Sequence, residues 1–308
     1  MERVTQDFDG ELAKLLAAGF RIDVIYPADE PQIAELSRGE EQMRLSKVGA
    51  PALSQVLPPF EPAFMITRSS EVSAAGRAGM LYRDLIPGRL GGRYIASLIT
   101  IPDGGPVDDW VHYHHVAVQI ITVRAGWVRV VYEGQGEPFV MKPGDLVLQP
   151  PGIRHRVLES SDGLEVIEIS APALHKTFAD YEMALPTSID EADRLFGGQL
   201  FLRHIAAATS WAPYLGAEAQ ETQIAQATGG LADVRTVRPA GASQISFEPT
   251  NGELIFGFVL GGDAALDGQA LASSDAFVIP PDRDWLLTEL STDFRLLLVT
   301  TARLDAAT

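Results

Sequence analysis

Two short patterns of histidine, glycine and proline constrain this chain more than any other feature of its sequence. The first pattern reads His112-x-His114-x4-Gln119-x6-Gly126. The second reads Gly144-x5-Pro150-x-Gly152-x2-His155. Three of the six histidines of the chain, namely His112, His114 and His155, occupy the specified positions of these patterns. This predicts a shared chemical role for them.

The residues around both patterns are rich in valine and alternate in character, which is typical of β-strands. Because alternate side chains of a strand share a face, His112 and His114 are expected to point the same way, and two imidazoles on one face can bind one metal ion. Gln119 on the next strand would add a carbonyl oxygen as a third ligand. His155 would complete the set, since the Pro150–Gly152 bend aims it at a definite point.

The two patterns resemble the motifs of the cupin superfamily, usually G-x5-H-x-H-x3,4-E-x6-G and G-x5-P-x-G-x2-H-x3-N. The chain departs from them at Gln119, where glutamate is usual, and at Glu159, where asparagine is usual. The resemblance implies a small antiparallel β-barrel that holds one divalent metal ion. The ligands it implies are His112, His114, Gln119 and His155.

An internal repeat extends this interpretation to the second half of the chain. The segment Ser274–Pro281 resembles Gly144–Pro151, and such self-similarity indicates duplication. Aligning the segments, and aligning Gly261 with Gly126, places an apolar residue opposite every ligand. The predicted pairs are Phe247 with His112, Pro249 with His114, Leu254 with Gln119, and Trp285 with His155. The prediction is an all-β bicupin of two double-stranded β-helix (jelly-roll) barrels, in which only the first binds metal.

The chain has 308 residues, which allows two barrels and additional segments. The predicted divisions are an N-terminal helical and extended arm (1–75), the metal-binding barrel (76–172), a helical linker (173–230) and the degenerate barrel (231–304). Local signals predict the following segments: helices at Asp9–Ala18, near Pro31–Leu36 and at Ile189–Phe196, and an extended stretch at Pro51–Pro62.

Composition limits the possible partners. The net charge of −17 argues against nucleic acid and anionic lipid as partners, and the absence of cysteine excludes disulfides and thiolate ligands. The chain lacks a signal peptide pattern and an apolar stretch of membrane-spanning length. We expect a cytoplasmic protein with a small-molecule substrate, and a homodimer because cupins commonly pair edge strands.

Further catalytic candidates flank the patterns. Arg154 would recognise a substrate carboxylate, and Tyr94 would lie near the metal. Glu168 would act as a general base or orient a ligand if its strand face is inward. On the alternative interpretation, Arg154 and its neighbour Arg156 are ordinary solvated residues. His115 is expected at the rim, while His175 and His204 have no partner spacing and no predicted role.

Several functions are compatible with this site. Imidazole and amide ligands suit Fe(II), Mn(II), Ni(II), Zn(II) or Cu(II), and the spacing does not choose among them. The favoured function is a dioxygenase that cleaves a small phenolic or diketone-like substrate. The alternatives are a non-redox isomerase or lyase acting on a sugar acid, a small-molecule binding or sensor protein, and a storage-type structural cupin.

Overall fold

A computed structural model describes residues 1–53, 56–71, 73–75 and 79–304, which form an almost entirely β-stranded protein. The helical segments of these residues include the α-helices Phe8–Ala17, Arg89–Gly92 and Ile224–Ala227 and the 3₁₀ helix Ala206–Ala208. Within the described ranges, none of the helices is long and apolar enough to cross a membrane.

The first barrel is built from two sheets. The order of the larger sheet is Glu2–Thr5, Glu41–Lys47, Ile33–Arg38, Arg21–Tyr26, Thr177–Ala179, His112–His114, His155–Ser160, Val128–Tyr132 and Phe139–Met141, with Gly105–Pro106 also paired to His155–Ser160. The order of the facing sheet is Leu202–His204, Leu146–Leu148, Val118–Ala125, Leu164–Ala171, Ile95–Ile101, Leu81–Asp84 and Ala74–Ala75. The N-terminal arm therefore continues the sheet that carries the histidines.

The second barrel repeats this construction. The order of its larger sheet is Ala212–Tyr214, Ala217–Glu221, Ala232–Arg238, Arg295–Thr301, Ile255–Gly261, Ala276–Val278 and Met65–Thr67. The order of its smaller sheet is Gln244–Phe247, Trp285–Thr288, Ala264–Leu266 and Gln269–Leu271. A separate hairpin joins Leu195–Phe196 to Gln199–Leu200. The chain thus folds as two cupin-type barrels, as predicted.

Strand alternation divides the side chains between the barrel interior and the contact between the barrels. In Val118–Ala125, Ile120 is fully buried in a core cluster that also contains Phe256 and Val299 of the second barrel. Its neighbours Gln119 and Ile121 point the other way and line a cavity inside the first barrel. The apolar residues of one face therefore join the barrels, while the opposite face is available for chemistry.

The repeat is confirmed at the histidine positions. His112 is paired with His155 in the first barrel, and Phe247 is paired with Trp285 in the second. The two aromatic rings are parallel with centroids 3.6 Å apart. Where the first barrel has facing imidazoles, the second has a closed apolar stack.

One predicted equivalence is wrong by one residue. Ile120 is paired with Leu148, and the corresponding pair in the second barrel is Phe256 with Val278. Ile255, rather than the predicted Leu254, therefore stands opposite Gln119. The corresponding turns begin at Gly126 and Gly262, which have similar positive φ angles of 73° and 70°. Gly126 therefore corresponds to Gly262 and not to Gly261. The position opposite Gln119 is still apolar.

Two predicted helices are wrong. The segment near Pro31–Leu36 is part of the strand Ile33–Arg38, because its apolar residues pair with neighbouring strands of the arm. Ile189–Phe196 is irregular and ends in the strand Leu195–Phe196. Its charged residues resemble those of a solvated helix, but Arg194 instead pairs with Glu191 in the loop and with Glu133 after the strand Val128–Tyr132.

The helical character predicted for residues 173–230 is also wrong for most of that segment. It supplies short strands to both barrels, because its apolar residues pair with sheet edges rather than with one another. The first predicted helix does form, at Phe8–Ala17, where the Asp7 side chain accepts a hydrogen bond from the Gly10 amide. Ser54 and Gln55 of the predicted extended stretch, and residues 76–78 at the predicted domain boundary, lie outside the described residues.

A buried histidine outside the metal site makes stability depend on pH. Burial lowers the pKa of His204 below its ordinary value of 6.5, and the Asp145 carboxylate opposes this only in part. The unfolded chain therefore binds a proton more readily than the folded one. The stabilising contribution of His204 is complete above pH 6.5 and is lost as the pH falls through the folded pKa.

We therefore expect the drop in Tm between about pH 7 and about pH 5 to be smaller for His204→Gln than for the unchanged protein. Thermal denaturation followed by circular dichroism at both pH values measures this. The exposed His115 provides the matched control, since His115→Gln is expected to keep the original pH dependence. The same drop in Tm for both variants would contradict the assignment.

Candidate metal centre

Three histidines from two adjacent strands meet at one point inside the first barrel. His112 and His114 share one strand, and His155 begins the antiparallel neighbour to which His112 is paired. Their ligand nitrogens all lie within 4.8 Å of one another. The convergence expected from the spacing is therefore present for the three histidines.

The hydrogen bonds of the rings determine which nitrogens face the centre. Nδ1 of His112 lies 2.8 Å from a backbone carbonyl oxygen, and Nδ1 of His155 lies 3.1 Å from another. A carbonyl can only accept, so Nδ1 carries the proton and Nε2 presents its lone pair. Nδ1 of His114 is held by the Thr177 hydroxyl at 2.9 Å. This donor set fits a divalent transition metal.

A chain of side-chain hydrogen bonds runs beside the histidines. The Tyr132 hydroxyl donates to Oε1 of Gln149 at 2.8 Å. The Gln149 amide donates to Oε1 of Gln119 at 2.8 Å and to Nε2 of His155 at 3.1 Å. The Gln119 amide in turn donates to Oε1 of Glu168 at 2.8 Å. Gln119 thus lies at the site, and its carbonyl oxygen has a second lone pair for a metal.

Glu168 and His175 form the polar end of the site. Oε1 of Glu168 also accepts a hydrogen bond from Ser170 at 3.2 Å. The His175 ring lies edge-on to His114 with centroids 5.4 Å apart, and its Nδ1 lies 3.0 Å from the Pro172 carbonyl oxygen. Burial lowers the pKa of His175, and the Glu168 charge opposes this shift. Glu168 therefore occupies the inward position expected for it.

A cavity of about 430 Å³ opens beside these groups. Most of its wall is aliphatic, and the residues of the strand walls are Ile95, Ile99, Ile101, Ile121, Val128, Val130, Val157, Leu164 and Val166. Leu12, Leu16, Ile22 and Ile25 of the arm also line it. The cavity is suited to a small, largely apolar molecule.

Residues 97–170 match the family model described as "Cupin domain", and no curated protein sequence matches the chain. Among solved structures, salicylate 1,2-dioxygenase from Pseudaminobacter salicylatoxidans is 16% identical, with 79% of this chain and 86% of that chain covered and a TM-score of 0.54. A mutant of oxalate decarboxylase OxdC from Bacillus subtilis is 12% identical, with 88% and 89% covered and a TM-score of 0.56. The protein Ylba from E. coli is 10% identical, with 83% and 97% covered and a TM-score of 0.57.

These similarities span both barrels, and the family model falls on the barrel that carries the histidines. The chain has a bicupin fold. At such low identity the similarity shows the fold alone, and the chemistry of the site depends on the residues present in this chain.

Among the described residues, aromatic side chains occupy the place in the second barrel that corresponds to the histidine site. Trp285 is 3% exposed and packs on both Phe247 and Phe277. The Phe277 ring lies directly over Gly257, where an added Cβ would come within 2.1 Å of it. Aromatic rings therefore fill the space that is a cavity in the first barrel.

Two of the predicted catalytic residues do not meet the histidines in the bicupin. Arg154 binds the Asp180 carboxylate at 3.0 Å and lies over the Tyr113 ring, because the residue before the inward His155 must face outward. Tyr94 lies between the barrels, where its hydroxyl donates to Glu253 at 2.9 Å. The positions of Arg154 and Tyr94 therefore do not support the roles at the metal that the sequence suggested.

The remaining flanking residues divide between the site and the surface. Trp110 lines the cavity, and its ring lies edge-on to His112 with centroids 5.2 Å apart. His115 is exposed, in agreement with a rim position. Glu159, which replaces the usual asparagine of the second pattern, forms an ion pair with Arg129 at 3.1 Å.

Sequence reasoning missed three residues of the site. Gln149 directly follows an apolar strand, and this isolated polar residue was a usable signal. Tyr132 ends a strand of alternating residues and has the parity of the inward Val128 and Val130, a second signal. His175 lies on a loop without periodicity, so only the tertiary structure brings it to the cavity.

Proposed function

We propose that the protein is a metal-dependent dioxygenase that cleaves a small phenolic or diketone-type substrate in its first barrel. The observation that carries the proposal is the convergence of three histidine ligand nitrogens next to a mostly aliphatic cavity. His112, His114, His155 and Gln119 would hold the ion. Once bound, a redox-active ion would supply Lewis acidity and the one-electron chemistry that dioxygen requires.

The surrounding residues support this assignment through what they do to a bound molecule. The aliphatic wall removes water from the substrate, which strengthens every polar interaction at the inner end of the cavity. Glu168 is placed to accept a hydrogen bond or proton from a substrate hydroxyl, because the Gln119 amide and the Ser170 hydroxyl hold one of its oxygens. The Tyr132 hydroxyl and the Gln149 amide position Gln119, and the Ile153 carbonyl orients His155 by accepting its Nδ1 hydrogen.

The fold is compatible with this chemistry, since a solved salicylate 1,2-dioxygenase shares it over most of both chains, although a solved oxalate decarboxylase shares it as well. An isomerase or lyase for a sugar acid is less well supported, because a polyhydroxylated acid would leave most of its hydroxyl groups against aliphatic side chains. The cytoplasmic location, the homodimer and the domain boundaries stay predictions.

Oxygen uptake tests the proposal. Protein purified without a polyhistidine tag is loaded separately with Fe(II), Mn(II), Ni(II), Zn(II) or Cu(II) and offered catechols, gentisate, salicylate and linear diketones in an oxygen electrode. We expect uptake with a redox-active ion, loss of uptake in His155→Ala and retention in the matched variant His115→Ala. Turnover of a substrate without oxygen by the Zn(II)-loaded protein would instead establish a non-redox enzyme.

A further inference from the structure

His175 is a buried side chain that the proposed reaction has not yet used. It is 4% exposed and lines the cavity. Because its Nδ1 faces the Pro172 carbonyl, that nitrogen carries the proton and Nε2 has the lone pair. Nε2 is buried without a hydrogen-bond partner among the described residues. A buried acceptor left unpaired is costly, so a donor from a bound molecule is expected to satisfy it.

His175 is not part of the metal-binding set. The group of converging ligand nitrogens consists of His112, His114 and His155, and His175 lies in a separate loop with its ring edge-on to His114. His175 therefore borders the cavity without belonging to the metal-binding set.

The other polar group at this end of the cavity is also an acceptor. Glu168 lines the cavity, and its ionised carboxylate can only accept hydrogen bonds. Glu168 and His175 therefore both offer acceptors at the wall of the same cavity. A ligand would satisfy them with hydrogen-bond donors such as hydroxyl or enol groups.

The charges around the cavity disfavour an anion. Four carboxylates line it, namely those of Asp29, Asp108, Asp109 and Glu168, and the described part of the lining contains no Lys or Arg. Asp29 is paired with Arg89 at 2.7 Å, which leaves three carboxylates without an arginine partner among the described residues. Oδ1 of Asp109 lies 3.5 Å from Nδ1 of His112, so its charge partly offsets that of a divalent ion. Apart from the ion, a substrate carboxylate would meet like charges and no cationic side chain of the described lining.

We infer that this cavity selects an uncharged, largely apolar molecule that donates hydroxyl or enol hydrogens to Glu168 and His175, and that it rejects carboxylates. The inference rests on the proposed metal site and narrows its substrates to uncharged catechol-like diols or enolised diketones. Salicylate, the substrate named for one structural neighbour, carries the carboxylate that this cavity is expected to reject.

A matched pair of ligands tests the charge preference without turnover. Isothermal titration calorimetry of the Zn(II)-loaded protein measures the Kd of 4-methylcatechol and of 3,4-dihydroxybenzoate, which share the diol and differ in the carboxylate. We expect 4-methylcatechol to bind at least about tenfold more tightly. Equal or tighter binding of 3,4-dihydroxybenzoate overturns the inference. Because zinc is redox-inert, a preserved preference supports the inference even if the iron-loaded protein consumes no oxygen.

Two variants assign the preference to the named residues. Glu168→Gln is expected to reduce the ratio of the two Kd values by about tenfold, because it removes one negative charge from the lining of the cavity. His175→Phe is expected to raise the Kd of 4-methylcatechol about threefold to tenfold, because one hydrogen bond is lost. The dimethyl ether of 4-methylcatechol has no donor, so its Kd should be the same for His175→Phe and for the unchanged protein. A similar loss for the ether and the diol would show that the effect is steric and would overturn the role of His175.

Discussion

Replacement of His112 by alanine is expected to lower the affinity for a divalent metal by at least about 100-fold, because changing even the partners that orient a ligand costs 10-fold to 100-fold. His112 is 3% exposed and is held by the Trp110 carbonyl, and its removal leaves two of the three converging histidines. Elemental analysis after dialysis against a weak chelator measures the loss.

The neighbouring residue His115 supplies the control for this experiment. His115 is exposed and lies outside the group of converging nitrogens, so His115→Ala should retain the metal content of the unchanged protein. Full metal occupancy in His112→Ala, with the fold intact by circular dichroism, would remove the ligand assignment.

Replacement of Trp285 by alanine is expected to destabilise the protein by about 3–5 kcal/mol, the usual cost of removing a buried aromatic side chain. Trp285 stacks on Phe247 at 3.6 Å and contacts Phe277, so its loss opens a cavity in the middle of the second barrel. Chemical denaturation, followed by a probe in each barrel, measures the change.

Ile189 offers a matched surface truncation, since it is 67% exposed. Ile189→Ala should change the free energy of unfolding by no more than about 0.5 kcal/mol. Metal content should be unchanged in Trp285→Ala under folding conditions, because the aromatic stack belongs to the second barrel. A cost below about 1 kcal/mol in Trp285→Ala would contradict a role for the stack as the core of that barrel.

Whether the sequence predicted the position of a functional side chain depended on whether that side chain lies on a regular strand. His112, His114 and Glu168 lie on regular strands, where alternation alone decides which face a side chain occupies. The same rule, applied to Arg154 and Tyr94, would have placed them away from the cavity. Arg154 adjoins an inward histidine, and Tyr94 has the parity of Ala96 on the face between the barrels.

Strand pairing was the hardest feature to predict. The linker and part of the arm were predicted as helical from local charge and capping signals, but their short apolar segments pair with sheet edges far away in the chain. Such pairing depends on which edges the rest of the fold leaves available, and this information is spread over the whole sequence.

The two motifs were enough to predict the cupin fold, through their resemblance to that superfamily. Strand alternation and residue type were enough to predict the converging histidines and the loss of the equivalent site in the second barrel. The position of His175 at the cavity, the arm residues in its wall and the link from Glu168 through Gln119 to Gln149 come from the packed barrel. These contacts join residues from separate loops and strands, and only the packing of the complete barrel brings them within hydrogen-bond distance.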